Sequence, residues 1–120
     1  MSLPLTPQIL EAAYEFLRTC PPFNRWKLPP GEEVEFNVIL LKDREGDHTT
    51  YKRTDDHIIR ISAKRIGHTD SLIVVMAHEM IHAKQSVTKT TTRGSMHNPE
   101  FRRLASSVCR THGFDPKTFC

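Results

Sequence analysis

The chain has 120 residues, 38% of them hydrophobic and 26% charged, with a net charge of +3. That is enough for one packed domain over residues 1–120 but not for two. No apolar run approaches the roughly 20 residues that would span a bilayer, and the first residues lack the basic-then-apolar pattern of a secretory leader, so a cytoplasmic protein is expected. Charge is unevenly spread: residues 1–63 hold 8 basic and 10 acidic side chains (net −2), whereas residues 64–120 hold 9 and 4 (net +5). The basic half allows weak attraction to a polyanion such as DNA. The three cysteines, Cys20, Cys109 and Cys120, form no C-x-x-C pair, which excludes a cysteine zinc ribbon and points to free thiols.

Thr6-Pro7 supplies a capping hydroxyl followed by proline at the first helical position, and Ile9, Leu10, Ala13, Phe16, Leu17 and Cys20 follow at helical spacing. This predicts a helix over about 7–19, stopped by Pro21-Pro22. Phe23, Trp26 and Leu28 are expected to cluster under the proline-rich loop that runs to Pro30. Residues 34–41 read as a strand that becomes apolar on both faces. A polar turn through Asp43–Asp47, with Gly46 available for positive φ, leads to a second strand near 48–53. Asp55-Asp56 turns the chain into a third, His57–Ser62. Short connections between three strands predict an antiparallel meander.

After turn and capping residues at 67–70, a helix is predicted over about 70–85. Leu72, Val75, Met76, Glu79, His82 and Ala83 mark one side, and Ile73, Val74 and Ile81 make the rest apolar too, so this helix should be central and buried. It contains His78-Glu79-Met80-Ile81-His82, an H-E-x-x-H sequence. Histidines four apart share a helix face and can reach one Zn²⁺, and the adjacent glutamate is placed to take a proton from water activated there. Residues 86–95 read as an exposed loop. Asn98-Pro99-Glu100 opens the last helix, with Phe101, Leu104, Ala105, Val108 and Cys109 as its core stripe and Gly113 as its end. Catalytic zinc takes three protein ligands and keeps one position open. His97, just before the last helix, is the better third candidate, and Glu100, one turn further on, the alternative.

Ala77-His78-Glu79-Met80-Ile81-His82-Ala83 followed by Met96-His97-Asn98-Pro99-Glu100-Phe101-Arg102 resembles the SprT-like, or Spartan-type, metalloprotease domain. The resemblance covers nearly the whole chain. In that family the metal helix carries H-E-x-x-H-A, and the third ligand is the histidine of an H-G-x-x-F-type segment; His97 and Phe101 match, and Asn98 replaces the usual glycine. It implies a zincin-like α+β fold: a small antiparallel sheet on a buried metal-binding helix, flanked by N- and C-terminal helices. It also implies a zinc endopeptidase with His78, His82 and His97 as ligands and Glu79 as the catalytic base, acting on DNA-associated or DNA-crosslinked proteins.

The third strand, if it lies at the sheet edge beside the cleft, can hold an extended peptide substrate by main-chain hydrogen bonds. Tyr51 and His57 are the candidates for an oxyanion donor. His48, His57, His68 and His112 otherwise read as surface or structural residues. Lys84, Lys89, Arg93, Arg102 and Arg103 are the basic residues closest in sequence to the metal segments and are candidates for phosphate contact. Two other classes fit the motif: a repressor-cleaving metallopeptidase, and a non-catalytic DNA-binding module with structural zinc, against which an intact Glu79 argues.

Overall fold

The computed structural model describes residues 5–40, 44–63, 69–91 and 96–119. The first helix, α1 (Pro7–Arg18), begins as its sequence dictates: Thr6 Oγ1 accepts from the Ile9 amide and Pro7 occupies the first turn. Its apolar stripe buries Leu10, Ala13, Tyr14 and Leu17. Two polar side chains of the same helix fix the proline-rich loop. Tyr14 donates to the Pro29 carbonyl at 2.7 Å, and Glu15 accepts from the Gly31 amide at 2.8 Å. Phe23, Trp26 and Leu28 are all buried, with the Phe23 and Trp26 rings edge to face at 4.9 Å.

Three strands follow, β1 (Glu35–Ile39), β2 (Gly46–Thr50) and β3 (His57–Ser62). Their order is β1-β3-β2, with β1 parallel and β2 antiparallel to β3. This corrects the expected antiparallel meander: β1 and β2 are consecutive in sequence yet do not pair, and the sheet is mixed. Burial explains the outcome. β3 carries Ile59 and Ile61, both fully buried, and takes the centre, while the polar Gly46-Asp47-His48-Thr49-Thr50 segment takes an edge. β3 therefore does not meet the condition for holding a peptide at the sheet edge; the edges are β1 and β2.

Gly46 lies inside β2 and its φ is not positive, contrary to the turn role expected of it. Its value is lack of bulk: a Cβ there would stand 2.7 Å from the Arg60 carbonyl oxygen and 3.0 Å from Ile61 Cδ1. The tight turn at Asp55-Asp56 is present, with Asp55 at φ 60° and the Asp55 amide bonded to the Tyr51 carbonyl.

α2 (Thr69–Thr88) runs through the middle of the molecule and touches α1, β2, β3 and the last two helices. Leu72, Val75, Met76, Ala77, Met80, Ile81 and Ala83 are buried on several of its faces, as a central helix requires. It extends three residues beyond the predicted end and closes with Lys89 at φ 57°, the Thr90 amide bonding back to the Gln85 carbonyl. That is a left-handed helix cap formed without glycine. α3 (Pro99–His112) is capped by Asn98 and ended by Gly113 at φ 77°. A short α4 (Pro116–Phe119), not anticipated, folds Phe119 back against the core. Cys20 and Cys109 are free thiols. The expected turn at Gly67, and His68, Arg93 and Cys120, lie outside the described residues. Among the described residues no helix is long and apolar enough to cross a membrane.

Candidate metal centre

His78 and His82 project from one face of α2, and His97 arrives from the segment preceding α3. Each offers a ring nitrogen, and these nitrogens all lie within 4.8 Å of one another. The ring of Phe101, fully buried, packs against all three imidazoles, at 5.1 Å from His78, 4.7 Å from His82 and 4.3 Å from His97. The last two contacts are stacked. One aromatic side chain thus forms a common floor under the cluster.

The donor set fits a divalent transition metal. Metal ligation needs neutral imidazoles, and burial lowers the pKa of all three histidines. His82 is pushed down to about 3 by burial, reinforced by His78, His97 and His48. His78 Nδ1 lies 2.9 Å from the Phe119 carbonyl oxygen. Since a carbonyl only accepts, Nδ1 carries the proton and the Nε2 lone pair is left for a ligand role. Three neutral nitrogen donors, one of them already fixed in its tautomer by an outer carbonyl, are the borderline-soft set that zinc takes.

Glu79 is buried, and burial together with the nearby Asp47 charge pushes its carboxyl up to about 8. Asp47 itself is held by Arg60, which donates from Nε at 2.8 Å and again from Nη2. Glu100 faces away from the histidines in its bonding: its Oε1 accepts from Gln85 Nε2 at 3.0 Å, and Oε2 lies 3.6 Å from Arg103. The described residues place His97, not Glu100, in the three-residue cluster.

A cleft of about 460 Å³ opens beside His82, lined by His48, Thr49, Thr50, Ser86, Thr91 and Met96. His48, read from sequence as a surface or structural residue, therefore borders the candidate centre. Its Nε2 lies 2.8 Å from Nδ1 of the buried His57, and burial holds it down to about 4. His57 faces a different cleft with Tyr51 and meets this one only through His48. Tyr51 donates to Glu35 Oε1 at 2.6 Å in that other cleft, so the structure does not bring Tyr51 to the histidines. His112 has the structural role expected, 2.6 Å from the Pro21 carbonyl and ring-packed on Phe23 and Phe114.

Three residues at the site escaped the sequence reading. Phe119 acts through its main-chain carbonyl, which residue identity does not reveal. Gln85, fully buried, bonds Asn98 and Glu100. His48 needed the strand order before it could be placed. The Asp115-Pro116 pair, with Asp115 Oδ1 accepting from the Lys117 amide, was the available signal for α4.

No curated protein matches the chain. The model of the SprT-like family matches residues 16–119, which include the H-E-x-x-H helix and the His97-to-Phe101 segment. The chain belongs to the SprT-like family, which is generally linked to metallopeptidase-like proteins.

Proposed function

We propose that the protein is a zincin-like, zinc-dependent endopeptidase in which His78, His82 and His97 hold the metal and Glu79 is the general base. The observation that carries this reading is the convergence of three neutral imidazoles beside one buried carboxyl. Zn²⁺ bound there supplies Lewis acidity toward water and a peptide carbonyl. Glu79 takes the proton from the attacking water and passes it to the leaving amide nitrogen. A metal cation held by the three histidines would favour its carboxylate form, opposing the upward shift that burial and Asp47 impose.

β2 holds the substrate. The Ser62 amide bonds the Glu45 carbonyl and the Tyr51 amide bonds the Asp56 carbonyl. Along an antiparallel ladder, alternate residues bond inward, so the main-chain groups of Gly46, His48 and Thr50 point to the open edge. An extended peptide adding there runs along the cleft beside His82, held by main-chain hydrogen bonds. The substrates in this reading are DNA-associated or DNA-crosslinked proteins. Support comes from the net +5 of residues 64–120 and from the exposed Lys89, Arg102 and Arg103, with Lys84 half-buried.

The test is Glu79→Gln, which keeps size and hydrogen bonding but cannot accept the proton. Cleavage of an unstructured protein should fall by about 10²–10⁴-fold while zinc content stays at one per chain. Near-normal turnover would remove Glu79 from the reaction.

A further inference from the structure

His97 is exposed, whereas His78 and His82 are set in a packed helix. A ligand on an exposed segment must be ordered by something, because the lost backbone freedom opposes binding. The neighbouring Asn98 is buried and fully engaged on both ends of its amide. Its Oδ1 accepts from the Phe101 amide and from Gln85 Nε2, both at 2.9 Å, and its Nδ2 donates to the Thr90 carbonyl at 3.0 Å. Gln85 Nε2 also donates to Glu100 Oε1. The segment bearing His97 is thus tied on one side to the end of α2 and on the other to a side chain inside α2.

Gln85 has a second distinctive property. Among the described residues, two buried side-chain polar atoms lack a hydrogen-bond partner: Gln85 Oε1 and His82 Nδ1. The residues are three apart on α2, hence neighbours on one face, and a helical side chain leans over the turn preceding its own Cα. Neither atom bonds the other, so Gln85 reaches the site through its amide nitrogen, by way of Asn98 and Glu100.

We infer that Gln85 is the positioning residue of the metal centre, fixing His97 through Asn98. One side chain of α2 then holds the candidate ligand that lies outside that helix. The inference rests on the three-histidine reading of the site and adds to it which residue sets its geometry. Outer partners of metal-bound histidines change metal affinity by about 10–100-fold when removed.

The experiment uses the full chain and two variants, Gln85→Leu, which keeps bulk and loses the bonds to Asn98 and Glu100, and Asn98→Asp, which keeps the α3 cap but loses the donor to Thr90. Zn²⁺ affinity is measured by chelator competition, and the visible spectrum of the Co²⁺ form reports ligand geometry. Zn²⁺ affinity should fall by about 10–100-fold in Gln85→Leu, with a changed Co²⁺ spectrum. Part of that loss should vanish when Gln85→Leu is placed on a His97→Ala background, as residues acting through one another are non-additive. Asn98→Asp should reproduce the weaker binding with unchanged helix content, and it decides the matter alone if Gln85→Leu fails to fold. Affinity within twofold of wild type, or an equal loss with and without His97, overturns the positioning role. A wild-type chain that binds no Zn²⁺ overturns the three-histidine reading instead.

Discussion

The two halves of the candidate centre are built by different physics. α2 presents His78 and His82 from a helix buried on most sides, where Leu72, Val75, Met76, Ala77, Met80, Ile81 and Ala83 are set in apolar packing. The segment before α3 presents His97 to solvent and depends on hydrogen bonds from Gln85, Asn98 and Thr90. Packing is non-directional and tolerates conservative change, whereas a small polar network fails when one member is lost. In the proposed centre the helix half would set where a metal sits, and the loop half whether a third ligand completes it.

The largest effect should separate these halves directly. His82→Ala removes a ligand from the rigid side and should abolish Zn²⁺ retention, while His97→Ala should leave a weakened two-histidine site. Metal analysis of both purified variants checks this. Full zinc retention in His97→Ala would break the comparison and pass the third position to Glu100.

A smaller change tests the packing that seats β2, the proposed substrate edge, beside α2. Gly46→Ala would force β2 away from the Arg60 carbonyl, since no flexible side chain can yield there. Overpacking of this kind costs about 1–3 kcal/mol and should appear as a lower unfolding midpoint in denaturant. An unchanged midpoint would mean that the β2–β3 contact is looser than described.

Charge in the helix half gives a pH signature in the metal-free protein. Glu79, raised from 4.5 to about 8, keeps a proton in the folded state that the unfolded chain has released across that window. Its contribution to stability is therefore present at low pH and is lost as pH rises through about 8. His82, lowered from 6.5 to about 3, acts oppositely: its contribution is present above its unfolded value and is lost as pH falls toward 3. Glu79→Gln removes only the first term, so the stability of the variant relative to wild type should increase with pH. Thermal melts in chelator across about pH 5–8 measure this, and a pH-independent difference would contradict the buried carboxyl.

The smallest effect concerns the basic half. If Lys84 and Lys89 contact phosphates, DNA binding should weaken linearly with salt on logarithmic axes, by about 0.9 in slope per contact on duplex DNA. Changing both to Ala should flatten the slope and leave cleavage of a free peptide unaltered. An unaltered slope would clear the end of α2 of phosphate contact.

Much of the scaffold was legible because its signals are local. Thr6-Pro7 and Asn98-Pro99 mark helix starts by capping chemistry, Gly113 marks an end by its positive φ, and histidine spacing places two ligands on one helix face. The sheet was misread because strand order is not local: the apolar character of Ile59 and Ile61 outweighed the short connections that suggested a meander. The outer contacts were hidden for a similar reason. Gln85 reads as an ordinary polar helix residue until α3 is packed on it, and the Phe119 carbonyl has no sequence identity at all.

X-ray absorption at the zinc edge of the purified, zinc-loaded protein reads out whether one zinc sits on three imidazoles with an open fourth position. One metal per chain is expected, with three histidine nitrogens at about 2.0–2.1 Å and one light non-protein ligand. A shell with two histidines and a protein carboxylate, or zinc bound without imidazole, would contradict it.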